Sequence, residues 1–109
     1  MSNGRVSESI RQFFGGSFHE DWALEAKDWQ TSVDQFTVGE THTQLQNLAQ
    51  QIDTLAAAYA EEQLEDVMYS DALCSFYPAP LTYHEWLSLV SARLRQHAAA
   101  IERDDRKEL

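Results

Sequence analysis

The sequence contains little cysteine, proline or glycine. Among its 109 residues are one cysteine, two prolines and four glycines. A lone cysteine forms no internal disulfide and leaves no cysteine pair for a zinc site. Cys74 lies in the apolar run ALCSFY, where burial raises the pKa of a thiol, so we expect it to be inert. Because helix-breaking residues are rare, long uninterrupted intervals remain, which favours helices.

Long hydrophobic runs are also absent. No apolar run approaches the roughly 20 residues that cross a bilayer. The first residues, MSNGRVSESI, show no basic segment followed by a hydrophobic one. A chain of this length is typical of one compact domain. We therefore expect a soluble, cytoplasmic protein whose residues 1–109 form one domain, with frayed ends at 1–5 and 103–109.

Basic residues are few and unevenly distributed. The chain has 18 acidic residues against 8 Lys and Arg, a net charge of −10, which argues against direct binding to nucleic acid or to an anionic membrane. No Lys or Arg lies between positions 28 and 92. That stretch contains ten carboxylates: Asp28, Asp34, Glu40, Asp53, Glu61, Glu62, Glu65, Asp66, Asp71 and Glu85. Because the stretch lacks ion-pair partners of its own, we expect its field to attract a cationic protein. The alternative is an acidic surface that only maintains solubility.

Capping and stop signals predict an all-α bundle of about five helices and no strand. The first is expected from Ser7, as N-cap, to Phe14, with Gly15-Gly16 available for a left-handed C-terminal turn. The second is expected within TSVDQFTVG, with Thr31 as N-cap and Gly39 as its stop. The third, fourth and fifth are expected from the capping box Thr41/Gln44, over residues 61–73, and from the capping box Thr82/Glu85.

Two of these helices carry a clear apolar stripe. Spacings of three and four residues predict that one side of each faces the core. The stripe of the third helix consists of Leu45, Leu48, Ile52, Leu55 and Tyr59, and that of the fifth of Tyr83, Trp86, Leu87, Val90, Leu94, Ala98 and Ile101.

The fourth predicted helix, EEQLEDVMYSDAL, separates apolar from acidic side chains. At about 100° per residue, Leu64, Val67 and Met68 share one side. The opposite arc is acidic, and Tyr69 falls in its middle. An aromatic ring within a charged surface is typical of an interface anchor, although a merely solvated helix face would show the same charges. The candidate binding residues are Glu61, Glu62, Glu65, Asp66, Tyr69 and Asp71.

The segment SIRQFFGGSFHEDW places His19 beside Glu20 and Asp21. Consecutive residues do not share a face of a helix or strand, so convergence of these three on a metal ion would need an unusual loop. Phe18 and Trp22 are expected to be core anchors, while His19 and Asp21 satisfy nearby backbone groups. No G-x-S-x-G motif or phosphate-binding glycine loop is present, so we expect neither enzyme activity nor a cofactor.

The run FFGGSFHEDW, a Gln-rich middle helix and the run EWLSLVSARL together resemble the CdiI-type immunity proteins of contact-dependent growth inhibition. The similarity extends over roughly residues 9–95 and suggests the subgroup with an FHxDW-like motif. It implies a small cytoplasmic protein, with no catalytic residue, that binds and blocks the C-terminal toxin domain of a CdiA-type effector. Toxins of such systems are frequently nucleases. It also implies a structural role for the shared residues, which we take to be Phe14, Phe18, His19, Asp21, Trp22 and Trp86.

Other functions are compatible with the same residues. An acidic adaptor or nucleic-acid mimic would bind a basic regulatory protein without any toxin. An enzyme would need titratable groups converging around His19. The proline-containing segment SFYPAPL would form a rival interface if Phe76 and Tyr77 were exposed. For the free protein we expect a monomer.

Overall fold

Six α-helices and one π-helical turn make up the part of the chain described by the computed structural model, which covers residues 6–107 apart from the side chains at 25 and 104–107. No strand occurs within this range, and the all-α prediction is confirmed. The helices are α1 Glu8–Ser17, α2 Trp22–Glu25, α3 Trp29–Thr37, α4 His42–Ala58, α5 Glu61–Asp66 and α6 Tyr83–Lys107, with the π-helical turn at Val67–Asp71. The expected count of five omitted α2, a single turn. Of the ends expected to fray, 1–5 and 108–109 lie outside the described residues, while α6 continues through 107.

Helices α4 and α6 pack against each other along the two predicted stripes. Both capping boxes form: Thr41 with Gln44, and Thr82 with Glu85. The buried residues of the two stripes are Leu45, Leu48, Ile52 and Leu55 from α4, and Tyr83, Trp86, Leu87, Val90, Leu94 and Ala98 from α6. Burying a leucine, isoleucine or valine side chain stabilises a fold by about 1.5–3 kcal/mol. Because the two stripes bury many such side chains, the contact between α4 and α6 forms the main core. None of the described helices has the length and apolar character needed to span a membrane.

A cluster of aromatic rings closes one side of this core. Trp86 is fully buried, with the ring centroids of Phe14, Phe18 and Phe76 at 5.7, 5.2 and 5.0 Å from its own. Its indole N–H finds no hydrogen-bond partner among the described residues and lies surrounded by these rings. Trp22 contacts Phe18 at 5.5 Å. The aromatic part of the FHEDW segment therefore packs as predicted.

Helix α1 does not end at the two glycines. Ser7 caps it as predicted, accepting a hydrogen bond from the Ile10 amide, but the helix continues through Gly15 and Gly16 to Ser17. The predicted left-handed turn at these glycines is wrong. A Cβ at Gly15 would lie 3.4 Å from the Cβ of Leu73, so this position of α1 lies against the chain that follows the π-helical turn.

Helix α3 begins earlier than predicted. Asp28, rather than Thr31, is its N-cap, and the Asp28 carboxylate accepts a hydrogen bond from the Thr31 amide at 2.8 Å. A carboxylate also interacts favourably with the positive end of a helix, which explains the earlier start. Gly39, at φ +87°, follows the end of the helix as predicted.

Candidate functional site

Tyr69 and three carboxylates form one exposed surface. Leu64, Val67 and Met68 are fully buried, as the helical wheel predicts, whereas the Tyr69 side chain is 70% exposed. Around its ring lies a shallow depression of about 300 Å³. We call its lining residues the tyrosine patch: Glu62, Glu65, Asp66 and Tyr69. The predicted arrangement of an exposed ring among carboxylates is confirmed for these three acids.

Tyr69 lies within the π-helical turn that follows α5. The Ala72 amide donates to the Val67 carbonyl at 3.0 Å, five residues back. The next residue, Leu73, adopts φ +61° and is 51% exposed. For a leucine this left-handed conformation is rare and costs on the order of 1 kcal/mol. Single-turn π-bulges of this kind are frequent at functional sites.

Leu73 and Tyr69 share a second, wider depression of about 590 Å³. Its lining also includes His19 and Glu20 from the FHEDW segment, together with Gly15, Ser70 and Ser75. Tyr69 thus lines both an acidic depression and a mixed polar and apolar depression. No sequence pattern indicates this second depression, because it depends on the contact between α1 and the chain after the π-helical turn.

Two of the six candidate binding residues lie outside the tyrosine patch. Asp71 is only 7% exposed, so it presents no free surface. The Glu61 carboxylate is bound at the start of α6, where it accepts hydrogen bonds from the amides of Tyr83 at 2.6 Å and His84 at 3.1 Å. Desolvation opposes its ionisation, but the hydrogen bonds from Tyr83 and His84 outweigh it, and the pKa of Glu61 is lowered.

Other acids of the central stretch are paired with cations of α6. The Asp34 carboxylate receives two hydrogen bonds from Arg93, at 2.7 and 2.8 Å, and lies 2.7 Å from His97 Nε2. Arg95 lies 2.7 Å from the Asp53 carboxylate. The hydrogen bond from Arg93 is the main reason why the pKa of Asp34 is lowered. The expectation that these acids lack ion-pair partners is therefore wrong, because the partners follow Ala92 in the sequence.

Glu62 and Glu65 differ from these paired acids. Among the side chains that the structure describes, neither contacts a basic group. Both lie within the tyrosine patch. Two carboxylates on neighbouring turns of α5 therefore carry charges that no described basic side chain neutralises.

His19 serves a local structural purpose. Its Nδ1 accepts a hydrogen bond from the Asp21 amide at 3.1 Å, so His19 satisfies a nearby backbone group as predicted. Asp21 is the N-cap residue of α2, although its side chain makes no capping hydrogen bond. Within the described residues, no group of three or more His, Cys, Asp and Glu side chains could hold a metal ion. Cys74 is buried, and desolvation raises its pKa to about 12.

The rival surface at SFYPAPL presents a single aromatic ring. Tyr77 is 64% exposed and contacts Tyr83 at a centroid distance of 6.1 Å. Phe76 instead packs into the aromatic cluster around Trp86.

In a comparison with known protein families, residues 7–94 match the family described as CdiI immunity protein. The chain belongs to the CdiI immunity protein family. No curated protein and no solved structure matched it. Membership gives the chain a toxin-neutralising immunity function, with the toxin domain of a CdiA effector as its partner. The matched residues include the whole tyrosine patch and both depressions around Tyr69. The FHxDW subgroup stays a prediction.

Proposed function

We propose that this CdiI immunity protein neutralises a nuclease toxin by placing the tyrosine patch against the positively charged surface of the toxin domain. The observation that carries the proposal is the exposed Tyr69 ring among carboxylates of which two, Glu62 and Glu65, have no basic partner among the described side chains. In this proposal the immunity protein catalyses no reaction. Inhibition follows from occupying the surface on which the toxin binds its substrate.

The chemistry of a nuclease makes such a surface complementary. A nuclease holds phosphates with basic side chains, and carboxylates can take the place of those phosphates. Opposite charges also accelerate encounter, to about 10⁸–10⁹ M⁻¹s⁻¹ at low salt, which suits a protein that must intercept an incoming toxin. Tight binding further requires a desolvated centre. The Tyr69 ring can supply this centre, because lysine and arginine stack on aromatic faces.

Charge variants with the same net change test this proposal. Glu62→Gln with Glu65→Gln raises the net charge by two within the patch. Thr43→Lys with Gln46→Lys raises it by two on the exposed face of α4. With the purified effector C-terminal domain, we expect the first pair to reduce the association rate about tenfold at low salt and to flatten its salt dependence. The second pair should have a much smaller effect. If both double variants slowed association equally, the net charge of the protein, and not the position of the tyrosine patch, would determine the association rate.

Family membership favours this function over an acidic adaptor or nucleic-acid mimic. Co-expression with the effector domain encoded directly upstream separates the two. An immunity protein should restore growth of cells that produce the toxin domain and should be recovered in complex with it. An adaptor or mimic should do neither.

A further inference from the structure

Three helix ends meet at Glu61 and His84. Glu61 is the first residue of α5, and its carboxylate accepts hydrogen bonds from the amides of Tyr83 and His84, the first two residues of α6. The His84 ring lies between this carboxylate, 3.0 Å from Nδ1, and two carbonyls at the end of α4. Those carbonyls, of Ala56 and Tyr59, are 2.9 and 3.0 Å from His84 Nε2. We call this set of contacts the Glu61–His84 junction.

These contacts satisfy backbone groups that helices leave unpaired. The first amides of a helix and the last carbonyls of a helix have no partner within it. Glu61 supplies acceptors to the first amides of α6, and a carboxylate at this end also interacts favourably with the helix dipole. His84 Nε2 supplies a donor to the last carbonyls of α4. One side-chain pair therefore connects the ends of α4 and α6 to the beginning of α5.

Helix α5 is attached to the core mainly towards its C-terminal end. Leu64 is the one fully buried side chain within its six residues, and the fully buried Val67 and Met68 follow in the π-helical turn. These three side chains face the core but leave the first turn of α5 without a buried side chain. Glu61 attaches that first turn to the start of α6. The next residues on the outer face are Glu62 and Glu65.

We infer that Glu61 and His84 are positioning residues for the toxin contact: they hold α5 so that the tyrosine patch faces the toxin, without touching it themselves. This inference rests on the proposed function. It assigns Glu61 a role different from the direct contact that its acidic neighbours suggest. It also predicts that His84, which lies outside the tyrosine patch, affects toxin binding.

Single and double variants at the junction test the inference. Glu61→Ala and His84→Ala should each speed hydrogen exchange at the amides of residues 64–67 about tenfold in the free protein. Each should also raise the Kd for the effector toxin domain by about the same factor. The double variant should be no worse than the more affected single variant, since both remove the same junction. Because His84→Ala removes no carboxylate, loss of a charge contact cannot explain its effect.

Glu85→Ala is the matched control. Glu85 accepts a hydrogen bond from the Thr82 amide at 2.9 Å, so its loss weakens the same end of α6 without removing any bond to α5. We expect exchange at 64–67 and toxin affinity close to those of the unmodified protein. If Glu61→Ala does not fold, Glu61→Gln, which keeps one acceptor oxygen, should give a smaller effect in the same direction.

Three results would overturn the inference. Weakened binding with Glu61→Ala but normal binding with His84→Ala would make Glu61 a direct contact. An equal loss with Glu85→Ala would make the effect a general weakening of α6. Faster exchange in α5 with unchanged affinity would show that the orientation of α5 does not matter to the toxin. Failure of the proposed function itself would look different, since Glu62→Gln with Glu65→Gln would then leave toxin binding unchanged.

Discussion

Two groups of acidic side chains within the central stretch have opposite surroundings. Asp34, Asp53 and Glu61 are bound to side chains or amides of α6. Glu62 and Glu65 lie exposed beside Tyr69 and contact no basic side chain among those described. Both groups come from one stretch of sequence without lysine or arginine. The comparison shows that the charge counted along a sequence is not the charge presented at a surface.

The two groups also differ energetically. Partly exposed ion pairs stabilise a fold by about 0–1 kcal/mol, and bidentate arginine–carboxylate pairs by somewhat more. Asp34 and Asp53 thereby help to hold α3 and α4 against α6. Like charges four apart, such as Glu62 and Asp66, cost an isolated helix about 0.2–0.5 kcal/mol. Stability therefore explains the first group and not the second, and this contrast points to binding as the reason for the exposed acids.

Loss of the exposed ring should have the largest effect. We expect Tyr69→Ala to raise the Kd for the toxin domain by about 100-fold, because aromatic residues at interface centres dominate binding energy. The free energy of unfolding should change little, since the ring is 70% exposed. Isothermal titration calorimetry and urea unfolding measure the two quantities. Tyr77→Ala is the matched control, with a ring that is 64% exposed outside the tyrosine patch. A larger loss of affinity at Tyr77 would move the interface to SFYPAPL.

Loss of a paired acid should lower the stability of the fold and leave toxin binding almost unchanged. Asp34→Ala removes the acceptor for Arg93 and His97, and we expect the free energy of unfolding to fall by about 1–2 kcal/mol. The toxin association rate should stay near that of the unmodified protein. Urea unfolding and stopped-flow mixing provide the measurements. A variant of normal stability that associates slowly would place Asp34 at the interface and remove the distinction between the two groups.

Acid should lower the stability of the fold by protonating the paired carboxylates. The pKa values of Asp34 and Glu61 are lowered in the folded protein, so both carboxylates favour folding while they are ionised. Their contribution is fully present above the ordinary carboxyl pKa of about 4 and is lost as the pH falls through the lowered values. Between pH 7 and pH 3, Asp34→Asn should therefore lose less stability than the unmodified protein. Parallel pH profiles would assign acid sensitivity to other groups.

The smallest expected effect is the change in the stability of the fold when the exposed acids are neutralised. Glu62→Gln with Glu65→Gln relieves repulsion within α5, so the free energy of unfolding should rise by a few tenths of a kcal/mol. The same variant should bind the toxin more slowly. Thermal unfolding monitored by circular dichroism detects the change. A marked loss of stability would mean that these acids hold the fold together and are not a free surface.

Local sequence signals predicted the features that depend on neighbouring residues. The capping boxes at Thr41 and Thr82 and the stripes of α4 and α6 formed as expected, because hydrogen bonds and burial at spacings of three and four residues determine them. The wheel argument also placed Tyr69 correctly.

Features that depend on distant contacts could not be predicted. Glu61 meets the start of α6 from 22 positions away, and Arg93 reaches Asp34 across 59. Gly15 of α1 lies close to Leu73, and the π-helical turn that follows α5 leads to that same segment. No local pattern reports such contacts. They nevertheless decide which acids are exposed and where the second depression lies.

Hydrogen exchange of the free protein and of its complex with the effector toxin domain tests the central claim most directly. We expect the toxin to protect the amides from residue 62 to residue 73, and to leave those of α3 and of the α4–α6 contact unchanged. Protection confined to SFYPAPL, or to the residues around Asp34 and Arg93, would contradict the claim that the exposed acids around Tyr69 bind the toxin.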